Sequence, residues 1–115
     1  MRSVSSFRAF VLELVDWWSE KLGLGAYIVN VGFNERRNAG KVMVDWNAYE
    51  ADIQFNTYYL RRRTDLQIEN TVVHELLHVL FWGMVPEKDE VRMAREHDAL
   101  NLLANLLVRW KTDAY

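Results

Sequence analysis

The sequence predicts a single α+β domain with an N-terminal helix, a three-stranded antiparallel meander and two further helices. Apolar residues recur at helical spacing near both ends of the chain and at a spacing of two in the middle. With 115 residues, of which 50% are hydrophobic, the chain can bury one core without disulfides. No repeats, linkers or low-complexity segments interrupt it, so residues 1–115 are expected to form one domain.

The first helix is predicted over residues 5–22, where one stripe of the helix is apolar and Gly23 follows as a stop. From Gly25 the period changes to two, which indicates a strand. Its apolar face consists of Tyr27, Val29, Val31 and Phe33.

Two more strands are predicted after a polar turn from Asn34 to Gly40. The same alternation indicates both of them, and the three strands are expected to form a meander. Their apolar positions are Val42, Val44 and Trp46 in one strand, and Ala51, Ile53 and Phe55, opposite Asp52, Gln54 and Asn56, in the other.

A second helix is predicted to begin at Thr64, which forms a capping box with Gln67, and to run to about Trp82. Asp65 adds a negative charge at the positive end of this helix. Gly83 is expected to end it. A third helix then reaches the C-terminus, and its start is marked by Pro86, Glu87, Asp89 and Glu90.

The second helix contains His74-Glu75-Leu76-Leu77-His78, an H-E-x-x-H sequence. Residues four apart project from one side of a helix, so both imidazoles can reach one ion. Zinc suits two imidazoles and a carboxylate, with a fourth position for a water of lowered pKa. Glu75 is placed to take a proton from that water. The alternative is that the histidines only satisfy hydrogen bonds in the core.

On a helical wheel the motif residues share an arc away from the main core stripe. That arc contains Thr71, His74, Glu75, His78 and Trp82, and the apolar arc contains Val72, Val73, Leu76, Leu77 and Leu80.

The third helix offers four candidates for a third ligand: Glu90, Glu96, His97 and Asp98. Glu96 lies at the centre of an apolar stripe, and a buried carboxylate without a cation is costly. Glu96 is therefore the predicted ligand, with His97 at the edge of the stripe and Asp98 toward solvent. The alternative for Glu96 is a salt bridge to Arg92 or Arg95.

Composition excludes several classes of protein. Without cysteine there are no disulfides, thiolate metal sites or cysteine nucleophiles. A net charge of −2 gives no general basic field for nucleic acid. The uncharged run of residues 76–86 is too short to cross a membrane, and with no export signal we expect a cytoplasmic protein. Arg61, Arg62 and Arg63 form the one charge run, expected to be a solvated loop or, alternatively, a contact with nucleic acid or an acidic partner.

The H-E-x-x-H sequence of residues 74–78, followed 18 residues later by Glu96, resembles the gluzincin branch of the zincin metallopeptidases. The resemblance implies a minimal zincin-like domain that binds zinc through His74, His78 and Glu96, with Glu75 as the catalytic base. Length and element order are similar to small phage and bacterial ImmA-like and SprT-like domains, of which the latter suggest a nucleic-acid contact. The resemblance covers about residues 50–107, and only the five-residue motif is highly specific.

The resemblance also implies a strand beside the cleft that pairs with an extended peptide, and the segment Ala51–Tyr59 looks like that strand. Metzincins have glycine and histidine where this chain has Phe81 and Met84, so that branch is excluded. Large gluzincins add a separate domain with a residue that stabilises the oxyanion, and we expect none within these 115 residues. The candidate helpers are His97, Tyr49, Tyr58 and Tyr59, and the alternative for each tyrosine is a half-buried aromatic of the sheet.

The sequence thus predicts a zinc-dependent hydrolase of peptide bonds acting on a peptide or protein. Two alternatives stay open. One is a metal-binding or metal-free regulatory or interaction module on the same fold, without catalysis, and the other is a hydrolase of a non-peptide amide.

Overall fold

The computed structural model describes residues 1–35, 40–45, 47–82 and 89–115. The α+β class is confirmed, and the predicted roles of Trp46, Gly83, Pro86 and Glu87 lie outside the described residues. Among the described residues, no helix combines the length and apolar character needed to cross a bilayer. The elements in chain order are α1 (Val4–Lys21), β1 (Ile28–Asn34), β2 (Gly40–Asp45), β3 (Glu50–Asn56), α2 (Thr57–Leu60), α3 (Asp65–Leu80) and α4 (Glu90–Ala114).

The three strands form a mixed sheet in the order β1-β3-β2. β1 lies parallel to β3 with Ile28 opposite Glu50, and β2 lies antiparallel to β3 with Asp45 opposite Glu50. The predicted antiparallel meander is therefore wrong. Alternation specifies which side chains face the core, and it does so equally well for either order of strands, so it could not identify the neighbours.

The central position of β3 overturns a second expectation. A strand with partners on both sides has no free edge for a peptide, so Ala51–Tyr59 cannot pair with a substrate as the resemblance implied. The chain also leaves the extended conformation at Thr57, where the short helix α2 begins after Asn56 accepts a hydrogen bond from the Tyr59 amide. Within the described sheet, β2 is the edge strand that packs against α3.

Helix boundaries follow the sequence signals closely. α1 ends at Lys21, and Gly23 has a positive φ of 75°, which glycine adopts without strain. The capping box of α3 is confirmed by reciprocal hydrogen bonds between Thr64 and Gln67 of 3.2 and 3.0 Å. α4 begins after Asp89, whose side chain accepts from the Arg92 amide.

α3 is the central helix of the core, because it contacts α1, α4 and β2. Four of the five residues predicted for its apolar arc are buried, whereas Leu80 is 44% exposed at the last position of the helix. The core also takes apolar residues from α1 and the sheet. These fully buried side chains include Phe7, Val11, Trp18, Ile53, Phe55, Ile68, Val72, Val73, Leu76 and Leu77.

A buried carboxylate, Glu69, joins three helices. It accepts hydrogen bonds from Nε1 of Trp18 on α1 at 2.7 Å and from Nζ of Lys111 on α4 at 2.5 Å. Lys111 also lies over the ring of Trp17, 4.5 Å from its centroid. Removal of Lys111 would therefore leave Glu69 without its only ionic partner among the described residues.

We expect Lys111→Met to lower the free energy of unfolding by about 2 kcal/mol, because an ionised carboxylate with low exposure then lacks its cation. Urea denaturation at neutral pH measures this loss. Arg2→Met, which breaks the more exposed ion pair with Asp65, is the matched control and should cost less. An equal loss in both variants would show that the buried pair has no special role.

Candidate metal centre

α3 brings two imidazoles of the motif together. His74 and His78 lie one turn apart, and their Nε2 atoms are 3.0 Å from each other. His74 is buried and His78 is partly buried. The Nε2 atoms of His74 and His78 therefore converge closely enough to bind one ion.

The third member of the site comes from α4. The His97 ring lies 4.7 Å from the His74 ring and 6.2 Å from the His78 ring, between centroids. One nitrogen from each of the three imidazoles lies within 4.8 Å of the others, which defines a group that could hold a metal ion. We call His74, His78 and His97 the three-histidine group.

Glu96 lies behind this group. Its Oε1 is 3.7 Å from Nδ1 of His78, on the side of the ring away from His74. Neither Arg92 nor Arg95 pairs with Glu96 in the described part of the chain, where Arg92 contacts Asp89 instead. The Glu96 side chain is 23% exposed, and its role as the third ligand stays a prediction. Asp98 is exposed, as expected.

Burial favours the neutral form of the two imidazoles on α3. Desolvation is the main reason that the pKa of His74 falls to about 4, and the neighbouring His78 and His97 lower it further. Asn101 raises this pKa, but by less than the other effects lower it. Desolvation and His97 likewise lower the pKa of His78. Neutral imidazole is the form that binds a metal. In addition, Nδ1 of His74 is buried with no hydrogen-bond partner among the described residues.

Glu75 is buried beside the histidines, and burial raises its pKa to about 7. It lines a cavity of about 510 Å³ together with His74 and His97. Gly40, the first residue of β2, also lines this cavity and lies against Glu75. A Cβ atom at Gly40 would lie 2.8 Å from both Cγ and Cδ of Glu75. Glycine at this position therefore leaves the space in which the Glu75 side chain lies.

Gly40→Ala is expected to displace the Glu75 carboxyl and to lower any hydrolytic rate that depends on it by about tenfold or more. The flexible side chain of Glu75 can move, so the fold and any metal binding by the three-histidine group should persist. Gly25→Ala is the matched control, because a Cβ there meets nothing within 4 Å. Steady-state kinetics with zinc titration measures both effects, and unchanged kinetics in Gly40→Ala would contradict this role.

One of the three candidate tyrosines lines the cavity. This is Tyr59 on α2, whose hydroxyl accepts a hydrogen bond of 2.5 Å from Nη2 of Arg63. Tyr58 and Tyr49 are each more than half exposed, and they contact Arg62 and Tyr27 respectively. Nothing in the fold tests a nucleic-acid contact of the arginine run, which stays a prediction.

Several cavity residues were missed from the sequence: Gly40, Asn70, Asn101 and Asn105. His97, Asn101 and Asn105 repeat every four residues on α4, so they form a polar row on one side of the helix. That row was a usable signal. No signal in the sequence indicated the contact between Gly40 and Glu75, because this contact depends on the position of β2 beside α3.

Fold and site together define a small α+β domain with a possible three-histidine metal site. Comparison with protein-family models and with curated protein sequences finds no match.

Proposed function

We propose that this protein is a zinc-dependent hydrolase of peptide bonds, with the three-histidine group as the metal site and Glu75 as the general base. The observation that carries the proposal is the convergence of three imidazoles, of which those of His74 and His97 line one cavity together with the buried carboxyl group of Glu75. A set of three imidazoles is a ligand set that zinc uses in catalytic sites.

The residues present fit such an ion. The Nε2 atoms of His74 and His78 lie 3.0 Å apart, within hydrogen-bond distance in the metal-free protein and close enough for both to reach one shared cation. Glu96, whose Oε1 lies 3.7 Å from Nδ1 of His78, would favour the tautomer protonated at Nδ1 and so leave Nε2 as the ligand atom. The other arrangement, with Glu96 as a ligand in place of His97, remains part of the proposal to be tested.

Bound zinc would supply a Lewis acid that polarises the substrate carbonyl and acidifies water. Glu75 would take a proton at its carboxylate and return it to the leaving nitrogen, since a pKa of about 7 suits exchange in both directions near neutrality. Tyr59 accepts from Arg63 and so keeps its own hydroxyl proton available for a developing oxyanion.

The test combines metal content with peptide cleavage. The protein, loaded with one equivalent of zinc, is incubated with a diverse peptide library with and without a chelator, and products are identified by mass spectrometry. Cleavage that a chelator abolishes and zinc restores supports the proposal. Stoichiometric zinc with no cleavage across the library would instead favour the metal-binding module without catalysis, and cleavage only of non-peptide amides would favour the third alternative.

A further inference from the structure

A second cavity, of about 490 Å³, adjoins the first. The two share Asn70 on α3 and Asn105 on α4 as lining residues. Contacts of His74 with His97 and of Glu69 with Lys111 show that the two helices run antiparallel. One groove therefore extends from the three-histidine group along α3 and α4.

The groove changes character along its length. Beside the histidines it presents the carboxamides of Asn70, Asn101 and Asn105. At the far end it is mainly apolar, and three of its leucines are exposed: Leu66 by 54%, Leu102 by 63% and Leu106 by 53%. Exposed leucines from two helices that line one cavity form a patch of the kind that marks a binding site.

We propose that this second cavity is a specificity pocket for a bulky apolar side chain of the substrate, a proposal that rests on the proposed function. Its continuity with the catalytic cavity through Asn70 and Asn105 identifies the occupant as a further part of the same peptide. Carboxamides offer both donors and acceptors, which suits the intervening peptide backbone.

Helix geometry gives the position of that side chain in the substrate. Leu66 precedes His74 by eight residues, or about 12 Å along α3. Leu106 follows His97 by nine residues, or about 13 Å along α4. An extended peptide advances about 3.4 Å per residue. The apolar side chain should therefore lie three or four residues from the scissile bond.

The experiment uses full-length, zinc-loaded protein and a peptide that it cleaves. Leucine is placed in turn at each position from one to six residues on either side of the cleaved bond, in an otherwise serine-rich background. We expect kcat/KM to be about tenfold higher with leucine three or four residues away on one side. Leu106→Ser should remove this preference, whereas Leu12→Ser, at an exposed leucine of α1, should retain it. Both variants should keep the wild-type melting temperature.

Fluorescence anisotropy measures binding of the same peptides to the Glu75→Gln protein. Because this variant should not turn the peptides over, the measurement separates recognition from turnover. Cleavage without a leucine preference at these positions would overturn the specificity-pocket proposal and leave the proposed function intact. If none of the peptides is cleaved, both the pocket proposal and the proposed function are overturned. A dimer that Leu106→Ser dissociates, with unchanged selectivity, would show that a second copy of the chain covers the groove.

Discussion

Replacing His74 with alanine is expected to abolish stoichiometric zinc binding, because it removes the buried imidazole whose Nε2 lies closest to that of His78. His97→Ala should do the same if α4 supplies its imidazole to the ion. Glu96→Ala should weaken binding by only about 10- to 100-fold, the usual effect of losing a carboxylate that orients a metal-binding imidazole. Asp98→Ala, at an exposed neighbouring position, is the control.

Zinc content after dialysis and competition with a chromogenic chelator give the affinities. Melting temperature provides a second measurement, because an ion shared by α3 and α4 adds its binding free energy to folding. Wild-type protein and Asp98→Ala should melt at lower temperature when a chelator is added, and His97→Ala should not respond. If Glu96→Ala loses zinc and His97→Ala retains it, Glu96 is the third ligand, as the apolar stripe of the helix predicted.

Glu75→Gln is expected to retain zinc and to lower peptide hydrolysis by about 100- to 10,000-fold, because the amide keeps the shape of the side chain but cannot accept the proton. The turnover number under saturating substrate measures this effect. Asp65→Asn, which changes an exposed carboxylate at the start of α3, is the control and should retain activity. Equal turnover in wild type and Glu75→Gln would assign any cleavage to a contaminant.

Glu75→Gln, which is expected to lower hydrolysis, should raise the stability of the metal-free protein at high pH. The pKa of Glu75 is about 7 in the folded state, above the ordinary value of 4.5, so its contribution to stability is present at low pH and is lost as the pH rises toward 7. At pH 8 metal-free Glu75→Gln should be more stable than wild type by up to about 3 kcal/mol. Near pH 4 the difference should vanish. His74 contributes in the reverse direction, but it is common to both proteins and cancels.

Local signals in the sequence predicted the parts of the fold that local interactions determine. The start of α3 follows from hydrogen bonds between Thr64 and Gln67, three residues apart, and the stop of α1 follows from the positive φ of Gly23. The pairing of His74 with His78 is likewise a property of one helix turn. These elements require no knowledge of the rest of the chain.

The parts that were missed depend on contacts distant in sequence. Strand order required knowing that Val31 lies beside Ile53 in a parallel pair, which no alternation pattern reveals. Helix α2, where the sequence pattern predicts the end of a strand, is the exception, because its N-cap residue Asn56 is a local signal. The choice between Glu96 and His97 depends on how α4 is rotated against α3, which ideal steps of about 100° per residue resolve only coarsely.

The three-histidine group contains every histidine in the chain, and the chain has no cysteine. Each imidazole resonance in a proton NMR spectrum of this protein therefore reports on the candidate centre, with no background from other sites. Addition of zinc should shift all of them together, and a titration that moved only two would reveal which imidazole stays outside the ion. The unfolded chain also lacks thiolates that would compete for the ion, so metal binding to the unfolded state is limited to these same imidazoles and to carboxylates.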